Sequence, residues 1–155
     1  MKKTNLFKGE DSMANYFMIV TNEIDYEWDI DNQFVCAGFP DRNKKSLQQM
    51  EPGDKIIYYV TRHSKFMAAV EVVGKYFYSE EPIWDDPYDL WPHRIHTKPL
   101  IFIENCEDGV FIKDIWDDLE FIKNKVRWGS QVQGSFRKLS KHDYEIIKKS
   151  LDSSK

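Results

Sequence analysis

Cysteine is scarce: two in 155 residues, Cys36 and Cys106, far apart and in no Cys-x-x-Cys pair. That excludes a disulfide framework or zinc ribbon and fits two reduced thiols in a cytoplasmic protein. Of the four histidines only His93 and His96 are near each other, and an odd separation on a strand sends them to opposite faces, so no metal site is expected. The seven glycines form neither a Gly-x-Gly-x-x-Gly nor a Walker pattern, which argues against nucleotide hydrolysis. Long apolar runs are missing too. The longest, such as Ile56–Val60 and Phe66–Val70, fall far below spanning length, and Met1–Ser12 is too polar for a signal peptide, so no membrane partner is expected. Positive charge is in deficit, with 22 Lys and Arg against 26 Asp and Glu, which excludes a surface that coats phosphate backbone broadly. The carboxylate pairs Asp85-Asp86 and Asp117-Asp118 are commonplace in an acidic chain, and Cys36 reads as a packed thiol. The chain is therefore expected to bind rather than catalyse, without a cofactor.

Aromatic rings are what it has in plenty: five Trp, eight Tyr and ten Phe. That is more than the core of one domain of this size needs, so some are expected to line a pocket. Residues 1–12 read as a flexible leader and 13–152 as the domain. Tyr16–Thr21 is a strand, and Thr21 or Asn22 caps a helix from Glu23 to about Ile30, with Ile24 and Trp28, and beside them Tyr26 and Ile30, as inward candidates and its acids on a solvated edge. Phe34–Ala37 is a short strand ended by Gly38-Phe39-Pro40. Pro52-Gly53-Asp54 launches a strand over Lys55–Thr61, and a hairpin returns through Phe66–Tyr78, with a bulge at Gly74. Ser79–Pro92 is a long acidic loop exposing Trp84 and Trp91. His93–Asn105 reads as a strand in two pieces around Pro99, Asp117–Lys123 as a short helix, and Ser140 caps a last helix with Tyr144, Ile147 and Leu151 on one face. Long bent strands without a repeated βα unit favour an α+β fold, a curved β-barrel with flanking short helices.

The charge is uneven. From Leu119 to Lys141 the cations Lys123, Lys125, Arg127, Arg137, Lys138 and Lys141 face Glu120 alone. They interleave with Trp128, Phe136, Gln131 and Gln133, the mixture that holds phosphates while stacking and reading an unpaired base.

The run Gly38-Phe39-Pro40, Leu47, Pro52-Gly53-Asp54 and Lys55–Val60 resembles the opening half of the EVE domain, a PUA-like fold related to the YTH readers of methylated RNA. The later Leu119-Glu120-Phe121-Ile122-Lys123-Asn124-Lys125, Arg127-Trp128 and Leu139–Tyr144 resemble its small single-domain archaeal and bacterial branch. The resemblance implies a PUA-like barrel whose cleft takes one nucleobase, often modified, with modified DNA or RNA as the partner. Carried onto this chain, Gly38, Phe39, Trp128 and Ser130 line the pocket. Gln131 joins Ser130 in satisfying the base edge, and Lys123, Lys125, Arg127, Arg137 and Lys138 hold phosphates. Where relatives carry a tryptophan before the glycine this chain has Ala37, and Trp84 is assigned to the lining in its place, with Phe34, Phe39 and Trp91 as other available rings. The competing reading is a binder of a free nucleobase or small metabolite in the same cleft, for which the basic run has no use.

Overall fold

Apolar and aromatic runs become the strands of one curled mixed sheet that forms a half-barrel. The computed structural model describes residues 14–87, 90–133 and 136–154; the leader expected at 1–12 lies outside the described residues. In chain order the strands are β1 (Tyr16–Thr21), β2 (Cys36–Phe39), β3 (Lys55–Val60), β4 (Lys65–Tyr78), β5 (His93–Phe102), β6 (Val110–Phe111) and β7 (Phe136–Leu139). They lie side by side as β2-β5-β4-β3-β1-β7, with β6 against β4. Only β1 and β3 run parallel among these pairings. The helices are α1 (Glu23–Asp31), α2 (Lys44–Gln48), α3 (Ile112–Ile115) and α4 (Lys141–Ser154). Among the described residues no helix is long and apolar enough to cross a membrane.

The centre of the sheet is buried on both faces, so Ile56–Val60 and Phe66–Val70 are apolar without alternation. Gly53 starts β3 from a left-handed turn, φ +100°, that suits glycine. Asp54 then holds the turn by accepting from the backbone N–H of Asn15 and Glu51, both at 3.0 Å. The long strand β4 changes register between Val72 and Tyr76, around Gly74, and so bends across the sheet. Helix α4 starts at Ser140, whose Oγ accepts from the Asp143 N–H, and buries Tyr144, Ile147 and Leu151.

Several expectations are corrected. Strand β5 passes Pro99 unbroken, because a register shift opposite Ala69 and Val70 absorbs the residue that cannot donate to the ladder. Strand β2 begins at Cys36 rather than Phe34: Gln33 and Phe34 turn through left-handed conformations and drop the Phe34 ring among Tyr26, Tyr58 and Phe102. Asp117–Lys123 is not a helix. The buried Asp143 carboxylate accepts from the N–H groups of Glu120 (2.7 Å) and Phe121 (3.0 Å), holding that segment against α4. Nor does α1 turn Ile24 and Trp28 inward; they are 62% and 38% exposed while Asp25, Tyr26 and Asp29 are buried. Its anchor is the Tyr26 hydroxyl, which donates to the carbonyls of Met67 (3.1 Å) and Ile103 (2.8 Å).

Tyr26→Phe leaves the ring and removes the hydroxyl from the Ile103 carbonyl, while the Met67 carbonyl keeps the Ile103 N–H at 2.9 Å, so it should cost about 1–3 kcal/mol, read as a lower urea midpoint with an unchanged slope.

Candidate functional site

A cavity of about 260 Å³ opens where the end of β1, the start of α1 and the loop after β4 meet. Ile19, Val20 and Thr21 of β1, Tyr58 of β3 and Thr61 form one side, Asn22, Asp25 and Asp29 another, and Gly38, Trp84 and Trp91 the rest.

The loop reaches the cavity because Arg94 pulls it there. This side chain on β5 is 1% exposed. Its Nε donates to the Trp91 carbonyl (3.0 Å), Nη2 donates to the carbonyls of Glu81 (2.5 Å) and Leu90 (3.0 Å), and its guanidinium lies 5.4 Å from the centre of the Trp84 ring. Gly38 pairs with Arg94 across the sheet. A Cβ on Gly38 would come within 2.6 Å of two Trp84 ring carbons and 2.7 Å of the Trp91 Cβ, so the missing side chain is the seat of both tryptophans. Trp84, expected on an exposed loop, is buried, and its indole N–H donates to Asp29 Oδ1 at 2.8 Å.

Two acids of α1, one turn apart, thus face inward. Burial pushes the Asp29 carboxyl up to about 8; the Trp84 indole opposes this and the nearby Asp25 adds to it. Asp25 is raised too, by burial and then by Asp86, against its hydrogen bond with Asn22. At neutral pH Asp29 is mostly a neutral acid, able to donate as well as accept. Tyr58, 2% exposed, has a hydroxyl with no partner among the described residues, beside the cavity. A buried hydroxyl without a partner costs free energy that a bound polar edge would recover.

Of the residues singled out in the sequence for the pocket, Gly38, Trp84 and Trp91 line this cavity. Phe39, the next residue on β2, faces the other way, fully buried and edge-on to Phe136 at 5.3 Å. Trp128, Ser130 and Gln131 lie outside the cavity walls, in a 3-10 turn over Trp128–Val132. Trp128 packs edge-on against Trp116 at 6.0 Å, with Lys113 Nζ 5.5 Å from its ring centre. Ser130 Oγ donates to the Arg127 carbonyl, while Gln131 accepts from the Lys123 N–H and donates to the Asn124 carbonyl, so both hold the loop in shape. Lys123, Arg127 and Lys138 are exposed. Lys125 pairs with Asp117 at 3.1 Å, and Arg137 donates to the Gln131 carbonyl and lies over the Phe121 ring. Of this basic group Arg137 and Lys138 lie on β7, the edge strand whose first residue, Phe136, pairs with Ile19 in the cavity wall; they themselves pair with Met18 and Phe17. Tyr58, Asn22, Asp25 and Asp29 were not identified from the sequence; the spacing of the two acids on α1 was the available signal.

The EVE domain family matches residues 15–150. A UPF0310 protein of Pyrococcus horikoshii is 30% identical over 149 residues, covering 88% of this chain and 98% of the relative. A UPF0310 protein of Pyrococcus abyssi is 27% identical, covering 88% and 99%. Among solved structures, the YTH domain of Mmi1 in complex with RNA has a TM-score of 0.63 at 9% identity, covering 91% of this chain and 79% of that one. A hypothetical protein from Leishmania major has a TM-score of 0.62 at 12% identity, covering 92% and 98%. At these identities the structural likeness is one of fold.

Gly38→Ala should displace Trp84 and cost about 1–3 kcal/mol by overpacking, with altered tryptophan fluorescence. An acid whose folded value lies above its unfolded value of about 3.9 makes the folded chain hold more protons, so the stability this contributes is present below about pH 4 and is lost as pH rises toward 8. Asp29→Asn keeps an acceptor for Trp84, and its denaturation midpoint should fall less between pH 5 and 8 than that of the parent.

Proposed function

We propose, from the premise that the chain belongs to the EVE domain family, that it binds nucleic acid and takes a single base into the cavity lined by Trp84 and Trp91. The observation that carries this reading is the meeting, in one cavity of about 260 Å³, of two indoles with the Tyr58 hydroxyl, which has no partner among the described residues. That volume lies under the roughly 300 Å³ at which pockets for drug-sized ligands begin, and it suits one small planar ring. Stacking on an aromatic side chain contributes about 1–3 kcal/mol per base. Tyr58 and the Asp29 acid then offer hydrogen bonds to the edge of the ring, and an edge that left them unmatched would be rejected. Similarity of fold to a YTH domain that is bound to RNA supports the choice of partner.

Lys123, Lys125, Arg127, Arg137 and Lys138 supply phosphate contacts, Arg137 and Lys138 from the edge strand that pairs with β1, and Trp128 with Trp116 offers rings for a neighbouring base. A modified base fits the same scheme: one added methyl group buried against an indole gains under about 1 kcal/mol, so sharper discrimination would come from the shape of the wall. A free nucleobase or small metabolite would use the cavity but not the basic edge, and that edge is why a polymer is favoured. Binding rather than catalysis is the role assigned.

Titration with plain and modified DNA and RNA oligonucleotides at two salt concentrations tests this. Trp84→Ala should weaken binding by the 1–3 kcal/mol of one stacked base, at either salt concentration. Lys125→Glu should weaken all sequences alike and lower the salt slope by about 1. Saturable binding of nucleosides without salt-dependent oligonucleotide binding would turn the assignment to the free ligand.

A further inference from the structure

On the side of α1 where it meets the β3–β4 turn, three unlike side chains converge from separate elements. Glu23 is the first residue of α1, His63 sits in the turn between β3 and β4, and Cys106 begins the 3-10 turn after β5. A carboxylate oxygen, a ring nitrogen and the thiol sulfur all lie within 4.8 Å of one another. His63 Nε2 is 3.0 Å from Glu23 Oε1. Cys106 is only 5% exposed, and among the described residues its thiol makes no hydrogen bond, so a buried sulfur points unpaired at an imidazole and a carboxylate. Lys65 does not answer this need: its Nζ donates to the carbonyls of Cys106 and Glu107, both at 3.1 Å, and pins the backbone of the turn. Burial raises the Cys106 thiol and the Glu23 carboxylate raises it further, with Lys65 opposing and Glu27 adding.

The geometry points to a binding site for a borderline-soft divalent cation of the zinc class, with Cys106 Sγ, His63 Nε2 and a Glu23 oxygen as protein ligands. Sulfur, imidazole and carboxylate together suit zinc, whereas calcium and magnesium take oxygen alone. Zinc bonds of about 2.0–2.3 Å set tetrahedral ligands roughly 3.5 Å apart; His63 Nε2 and Glu23 Oε1, at 3.0 Å, are already that near, and the sulfur, within 4.8 Å of both, needs to close by no more than about 1 Å. His63 and Glu23, with side chains 36% and 52% exposed, are free to make that movement by rotation. Metal binding would displace the thiol proton and tie α1 to the β3–β4 turn and to the Cys106 turn. That tie would hold the helix that carries Asp25 and Asp29 into the cavity.

The full chain, free of any affinity tag and kept reduced, should be titrated with zinc and separately with cobalt. One equivalent of zinc is expected, with a thermal midpoint that rises with zinc concentration, and cobalt should show a sulfur-to-metal charge-transfer band. His63→Ala and Cys106→Ser should each lower zinc affinity at least tenfold and abolish the band, while Cys36→Ser leaves both unchanged. Should Cys106→Ser fail to fold, Glu23→Gln and His63→Ala, altered at an exposed and a half-buried position, carry the same test. No zinc binding, cobalt bound without the sulfur band, or undiminished affinity in His63→Ala would overturn the site.

Discussion

A guanidinium buried in the sheet governs the shape of this molecule around its cavity. Arg94 is removed from water, and a charge so placed must be hydrogen-bonded or it costs several kcal/mol. Its partners are the carbonyls of Glu81, Leu90 and Trp91. Satisfying one side chain thus folds a long polar loop back over the sheet and brings two tryptophans to its edge. Gly38, its partner on the neighbouring strand, makes the space they occupy.

The second constraint is the reversed character of α1. Its apolar Ile24 and Trp28 are exposed while Asp25 and Asp29 go inside, because the Tyr26 hydroxyl fixes the rotation of the helix on the backbone of Met67 and Ile103. Burying acids is unfavourable in itself. Here Asp29 accepts the Trp84 indole, and its raised proton affinity relieves the charge. Loop, helix and strand are thereby joined at one carboxyl, and the polar floor of the cavity is a consequence of that joint.

Local signals in the chain were enough for much of the fold. Pro52-Gly53-Asp54, the β-rich runs on either side of the hairpin, the bulge near Gly74 and the Ser140 cap all rest on interactions within a few residues or on a period that needs no partner. Where long-range contacts compete, those signals fail. Glu120 and Phe121 give their N–H groups to Asp143 rather than to a helix of their own. A register shift lets β5 keep Pro99.

The candidate site was legible in part, and the division has a physical cause. Gly38 came from the family resemblance, and Trp84 from a ring on a long loop that could fill the place left by Ala37; the basic run was plain from charge alone. The sequence by itself determined the family, the α+β class, the strands β1, β3 and β4 and the stock of rings and cations, since these depend on residue type and short-range order. Only the tertiary structure decided which rings meet. It took Phe39 to the core by the alternation of β2, set Trp128 against Trp116, and placed Tyr58, Asp25 and Asp29 beside Trp84, because strand pairing and the hydrogen bonds of one buried arginine act between residues far apart in the chain.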